Sequence, residues 1–283
     1  MSEVQIDPKA VKALRDKTNA GMMECKAVLV EAQGNLEAAV DILRKKGAAN
    51  AAKKADRETR EGVVAFALSA DQTAASLVEV NCETDFVARN DDFRGFCDRL
   101  AKTVLDNPTA DLEPLRQETI TKTGENVTIR RHERIQVSGS GQVAAYIHQG
   151  SKLGVLVEVG ASKAETLTNP AFTELVRSLT LQIAAMSPLY VRSSDVPADV
   201  LERERQVQSE SKDVQGKPAN IVENIVKGKL NAFYKQICLL DQENFQNNKQ
   251  SIAQLLAETS KALGDELSVR RFLRFMVGDS AAS

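Results

Sequence analysis

The 283-residue chain has no tryptophan, four cysteines and two histidines, and each scarcity closes off some chemistry. Cys25, Cys82, Cys97 and Cys238 lie far apart with no C-x-x-C pair. Neither a metal site nor a disulfide framework is supported, and reduced, buried thiols of a cytosolic protein are the expectation. His132 sits in the run RRHER, where a solvated strand face is the simple account. His148 ends a strand beside Gly150. Neither histidine can be tied to a nucleophile and a third orienting group. No GxxxxGK[ST] occurs; the one GKP lacks the upstream glycine, and GSG at 139–141 falls between strands. Asp91 and Asp92 lie in a first helical turn, where the macrodipole explains them. These absences point away from an enzyme and towards a binding protein with no metal and no cofactor of its own.

The charge balance is equally spare. Thirty-seven Lys and Arg face 39 Asp and Glu, a net charge of −2, which leaves no basic footprint for direct contact with nucleic acid. The cluster RRFLRF reads as a charged strand face. No apolar run nears the roughly 20 residues of a membrane span. The opening MSEVQIDPKAVK matches neither a signal nor a transit peptide. With 42% hydrophobic and 27% charged residues, the chain is a folded protein with room for two or three domains.

Residues 1–47 read as three short helices, similar to a ubiquitin-associated (UBA-like) module. Asp7-Pro8 starts the first, Gly21 precedes the second through MMECKAVLVEA, and Gln33-Gly34-Asn35 ends that helix and caps a third. Leu36, Ala39, Val40 and Leu43 keep helical spacing, and Gly47 is expected to close the helix. Residues 48–61, with little apolar content beyond alanine, read as a helical or flexible linker.

A duplicated core follows. Shifted by 79 residues, Gly62 meets Gly141, Leu77-Val78-Glu79-Val80 meets Leu156-Val157-Glu158-Val159, and Asn90 meets Asn169. Phe93, Phe96, Cys97, Leu100 and Val104 meet Phe172, Leu175, Val176, Leu179 and Ile183, the inward stripe of an amphipathic helix. Each copy is thus a β-hairpin followed by a helix, in subdomains 62–140 and 141–195. The strand NVTIRRHERIQV (126–137) is expected to extend the second sheet. The connection between hairpin and helix does not recur: NCETDFVAR in one copy stands against GASKAETLT in the other. Phe86 therefore faces Glu165, and a ring that the fold required should not be replaced by a carboxylate. Phe86 is either aimed outward or packed under its own subdomain.

Asp195 is expected to open a charged helix in which Val200, Val207 and Val214 fall seven apart. The turn QGKP leads to a return helix with Ile221, Ile225, Phe233 and Ile237 on one edge and Leu230 beside it. Residues 196–240 thus read as a projecting coiled-coil hairpin. DQENFQNNKQ is a polar loop, SIAQLLAETSKALG an amphipathic helix and SVRRFLRFMVG a strand, so that 241–283 return to the core. The fold class is α+β: a three-helix head, a duplicated core of antiparallel sheets with helices, and an arm.

TNAGMMECK (18–26) and NCETDFVARN (81–90) closely resemble the TGAGMMDCK and EVNCQTDFVAR signatures of the elongation factor Ts family, and HQGSKLGVLV and the arm with its GKP fit the same order. Asn19 and Glu24 are departures and Glu83 is a common variant; Asn19 replaces a glycine suited to a left-handed turn, which asparagine tolerates. Ser151 replaces a residue that is often basic in the family. The resemblance implies a cytoplasmic guanine-nucleotide exchange factor of bacterial or processed organellar origin. Its partner in translation elongation would be the GTPase elongation factor Tu. It would promote loss of GDP and Mg from Tu so that GTP rebinds, making and breaking no bond itself. It also implies site residues: Thr84, Asp85, Phe86 and Val87 in an exchange loop whose ring wedges into the GTPase near magnesium and phosphate; Arg15, Met22, Met23 and Lys26 in the head; and His148 and Gly150 on the second subdomain. The head alone suggests an alternative, a protein that binds ubiquitin-like domains or acts as a scaffold without exchange activity.

Overall fold

A computed structural model describes residues 6–18 and 20–279. Three helices open it: α1 (Pro8–Thr18), α2 (Met22–Glu31) and α3 (Leu36–Lys54). Asp7 caps α1, its Oδ1 accepting from the Lys9 N–H at 2.8 Å. Gln33 and Gly34 turn the chain at φ of 52° and 83°, and the Asn35 side chain accepts from the Glu37 and Ala38 amides. Val11, Leu14, Cys25, Val28, Leu29 and Ala39 form the core of this head. The turn at Asn19 lies outside the described residues.

Gly47 does not end α3. The helix continues to Lys54 through an alanine-rich stretch of high helix propensity. Its tail is held by packing: Gly47 is buried against a helix at Glu113–Thr123, and Ala51 joins the core beneath the first sheet. A Cβ at Gly47 would meet Thr121 Oγ1 at 3.5 Å, an ordinary contact. Gly47→Ala should therefore raise stability by about 0.5–1 kcal/mol, read from the urea midpoint. A glycine ending the helix in a left-handed turn would instead lose stability on the same change.

The strands are β1 (Glu61–Leu68), β2 (Ala74–Cys82), β3 (Val127–Gln136), β4 (Gly141–Ile147), β5 (Leu153–Ala161), β6 (Glu243–Asn244), β7 (Asn247–Ser251) and β8 (Leu267–Met276). They make antiparallel sheets ordered β1-β2-β3 and β4-β5-β8, with β6-β7 a small hairpin where a polar loop was expected. The strand within 126–137 thus pairs with β2 in the first sheet, not with the second, which is completed by β8. The cause lies in the duplication. Val80 pairs with Ile129 and Val159 with Val269, each just after an irregularity at Glu79 and at Glu158. β3 and β8 are therefore counterparts, displaced by 140 residues because the arm is inserted in the second copy.

The remaining helices are α4 (Asp85–Arg89), α5 (Asp91–Asp106), α6 (Glu113–Thr123), α7 (Pro170–Met186), α8 (Ala198–Ser209), α9 (Ala219–Ile237) and α10 (Ile252–Leu263). α5 and α6 cover the first sheet, burying Phe93, Phe96, Leu100 and Ile120. α7 and α10 cover the second, burying Phe172, Leu175, Leu179 and Ile252. The opposite faces pack on one another through Val64, Leu77, Ile135, Val143, Leu156 and Phe275. Hydrogen bonds between the halves come in matched pairs. The Val64 amide donates to Ser151 O at 2.7 Å and Val143 to Gln72 O at 2.8 Å, and within each copy Val137 donates to Thr73 O and Val277 to Lys152 O. The core is a pseudo-two-fold sandwich of two copies.

Each copy buries one glutamate of its central strand, Glu79 or Glu158, beneath an Arg-Arg pair. Burial alone would push the Glu158 carboxyl up. The Ser138 amide at 3.0 Å and the Arg271 and Arg270 guanidiniums outweigh it and hold the group below its usual range. A depressed carboxyl stabilises the fold above its unfolded value, and that contribution is lost as pH falls through the folded one. The urea midpoint should accordingly stay flat from neutral pH to about 5 and fall below about 4.

α8 and α9 form an antiparallel pair. Val200, Leu201, Phe233 and Tyr234 pack around Val196, Ile237 and Cys238 at its base, and Lys229 reaches Asp213 at 2.6 Å further out. Asp195 does not open α8. It caps a 3-10 turn at Ser193–Asp195, and α8 begins after Pro197. Val207 and Ile221 are exposed whereas Val226 is buried, so the apolar seam departs from the expected repeat.

Candidate functional site

The connection after β2 is a helix, not a loop. Thr84 is its N-cap, the hydroxyl accepting from the Val87 amide at 3.3 Å, and Asp85–Arg89 make one short turn, α4. Ala88 is buried and Val87 packs against the first core, which fixes one side of the turn. Phe86 falls on the other side and is 82% exposed. The alternative that the ring packs under its own subdomain is therefore excluded. Asp85 pairs with Arg89 at 3.1 Å, an exposed i,i+4 contact of small energy.

The connection is gripped from below. Glu125, at the α6–β3 junction, accepts from the Glu83 and Thr84 amides at 3.0 Å each and from the Thr84 hydroxyl at 2.5 Å. Glu83 returns the contact, its Oε1 accepting from the Asn126 amide at 2.6 Å and lying 3.4 Å from Arg57 Nη1. Beneath them the Cys82 thiol donates to Thr84 O at 3.3 Å. Burial, with Glu125 and Glu61 nearby, pushes that thiol up to about 12.

The second copy has the same scaffold with a different display. Asp265 accepts from the Ser162 and Lys163 amides at 3.1 Å each, and a 3-10 turn at Ala164–Thr168 stands where α4 stands. At the place of Asp85 and Phe86 it carries exposed Ala164 and Glu165. The anchoring carboxylate belongs to the fold; the ring does not. Glu125 and Asp265 were missed by reading the hairpins alone. The signal is a second internal repeat, GENVTIRR (124–131) against GDELSVRR (264–271).

The other anticipated residues fall into two groups. Arg15, Met22, Met23 and Lys26 lie on α1 and α2 and are exposed, Met22 by 48% and Met23 by 75%, so neither methionine is core. His148 and Gly150 lie in the exposed turn between β4 and β5, where the Tyr146 hydroxyl and His148 Nδ1 are 2.8 Å apart and Gly150 has φ of 88°. Among the described residues no hydrogen bond or ion pair joins these groups to α4. Among the same described residues no cluster of three or more His, Cys, Asp or Glu offers a metal site, and no helix is long and apolar enough to cross a membrane.

A clasped turn thus exposes a large ring to solvent, and the head separately exposes two methionines, apolar surface that the free chain leaves uncovered. The family model described as Elongation factor TS matches residues 83–279. The chain is 42% identical over 283 residues to elongation factor Ts of Nautilia profundicola, covering 95% of this chain and 92% of that one. It is 41% identical over 282 residues to elongation factor Ts of Symbiobacterium thermophilum (97% and 93%), and 40% identical over 288 residues to that of Clostridium perfringens (97% and 93%). The chain belongs to the elongation factor Ts family.

Proposed function

We propose that the protein is a guanine-nucleotide exchange factor that binds elongation factor Tu in its GDP state and speeds loss of GDP and magnesium, so that GTP rebinds during translation elongation. The observation that carries this reading is Phe86, exposed on a clasped turn, in a chain of this family. The mechanism is a coupling between sites. A partner that binds better when the nucleotide pocket is distorted must weaken the nucleotide, and the nucleotide must weaken the partner equally. A rigid ring suits a wedge, because it brings large apolar area with few torsions to freeze. Disturbing the magnesium on the GTPase removes the strongest positive charge beside the phosphates. No bond is made or broken.

In this reading Thr84 and Val87 hold the turn, Phe86 inserts and Asp85 adds charge beside it. Arg15, Met22, Met23 and Lys26 dock the head on the nucleotide-binding domain, and His148 and Gly150 meet a second part of the GTPase. The setting is the cytoplasm of a bacterium, in keeping with the relatives. The test is stopped-flow release of fluorescent GDP from elongation factor Tu. Strong acceleration by the protein is expected, and release at the unassisted rate would remove the assignment.

A further inference from the structure

We propose that Glu125 is the positioning residue of the exchange turn, acting on Phe86 through Thr84; the inference rests on the function proposed above. The Thr84 hydroxyl has one proton and two acceptor sites. At 2.5 Å from Glu125 Oε1 its proton is committed to the carboxylate, which leaves the oxygen as an acceptor for the Val87 amide. The chain of bonds runs from Val87 N–H to Thr84 Oγ1 to Glu125, and a charged terminus polarises both links. Glu125 Oε2 meanwhile takes the two amides that lead into α4. Direction and height of the turn are set together, and Phe86 is its second residue.

The second copy separates this role from plain folding. Asp265 holds the same two backbone positions, but Lys163 stands where Thr84 stands, so the turn above has no N-cap hydroxyl; the hydroxyl beside Asp265 is that of Thr166, buried within the turn itself. That turn is 3-10, whereas α4 is α-helical. The two carboxylates share the anchoring of a loop, and only one carries a relay to an exposed ring.

Four variants test the assignment: Glu125→Gln, Asp265→Asn, Thr84→Val and Thr84→Ser. Two readouts are taken, GDP release from elongation factor Tu and the alkylation rate of each cysteine, resolved by mass spectrometry, in the free protein. Cys82 lies directly under Thr84, and buried Cys25, Cys97 and Cys238 serve as references. Losing a charge-assisted bond should quicken Cys82 labelling and slow assisted GDP release by about tenfold each in Glu125→Gln. Thr84→Val should slow release similarly, Thr84→Ser should restore it, and Asp265→Asn should leave both readouts near those of the intact protein. Equal losses in Glu125→Gln and Asp265→Asn, or normal release by Glu125→Gln, would overturn the proposal. An intact chain that fails to speed release overturns the exchange function and, with it, the role of Glu125 in exchange. Cys82 labelling that still quickens in Thr84→Val, which cuts the link but keeps the Glu125 charge beside the thiol, would then identify the function, not the clasp, as the reading that failed.

Discussion

Phe86→Ala should leave the fold intact and remove most of the acceleration of GDP release from elongation factor Tu. The two halves of that expectation come from one number. A ring that is 82% exposed gives little burial to the free protein, so truncation should change stability by less than about 0.5 kcal/mol. Its turn is held by Ala88, Val87, Thr84 and Glu125, none of which needs the ring. On docking, the same ring would pass from water into a closed contact. An aromatic anchor of that kind carries about 2–4 kcal/mol, roughly 30- to 1,000-fold in the rate at limiting factor. Phe86→Leu, with less area and no ring, should fall between. The measurement is release rate against factor concentration, with thermal melts of both variants alongside. Undiminished release by Phe86→Ala would return the mechanism to Asp85 and the head.

Much of this was legible in the sequence, for identifiable reasons. The hairpins and stripe helices repeat at a fixed shift, and a repeat exposes whichever position fails to repeat; Phe86 against Glu165 is that position. What escaped was set by long-range contact. Gly47 looked like a helix stop because glycine is a local signal, but α3 continues where its tail packs on α6. The strand in 126–137 pairs in the first sheet, against expectation, because its counterpart in the second copy lies beyond the arm and not at the 79-residue shift of the hairpins. Past the arm the offset changes, and GENVTIRR meets GDELSVRR instead. The same displacement hid Glu125, since a lone carboxylate among 39 acidic residues has no local mark. Exposure of the ring could not be read from spacing at all, because it depends on which side of a five-residue helix faces the core.

The pseudo-two-fold also yields an unequal pair of mutations. Arg131→Ala should destabilise the protein by about 3–5 kcal/mol, the range for stranding a buried charge, and Arg271→Ala by about 1–3 kcal/mol, the range for losing one bond to a charged group. The two arginines occupy matched places. Arg131 reaches across to Met276 O and Arg271 to Gln136 O, tying the sheets together. Their glutamates differ in what else supports them. Glu158 accepts from the Ser138 amide and Arg270 as well as Arg271, and keeps two partners when Arg271 is cut. Glu79 is fully buried and, among the described residues, accepts from Arg131 alone, at 2.7 Å; its other oxygen finds no hydrogen bond among them, and Arg130 stands 3.9 Å away. Arg131 also lies over the Phe275 ring, 4.3 Å from its centre, so its loss opens the contact between the sheets. Urea unfolding of both variants gives the comparison, with slopes checked for intermediates in a chain of this size. Adding Glu79→Gln to Arg131→Ala should recover part of the loss, because a neutral amide is cheaper to bury than a stranded carboxylate. Equal costs for the two arginines, or no recovery in the double variant, would mean that packing around Phe275 and not the charge of Glu79 sets the penalty.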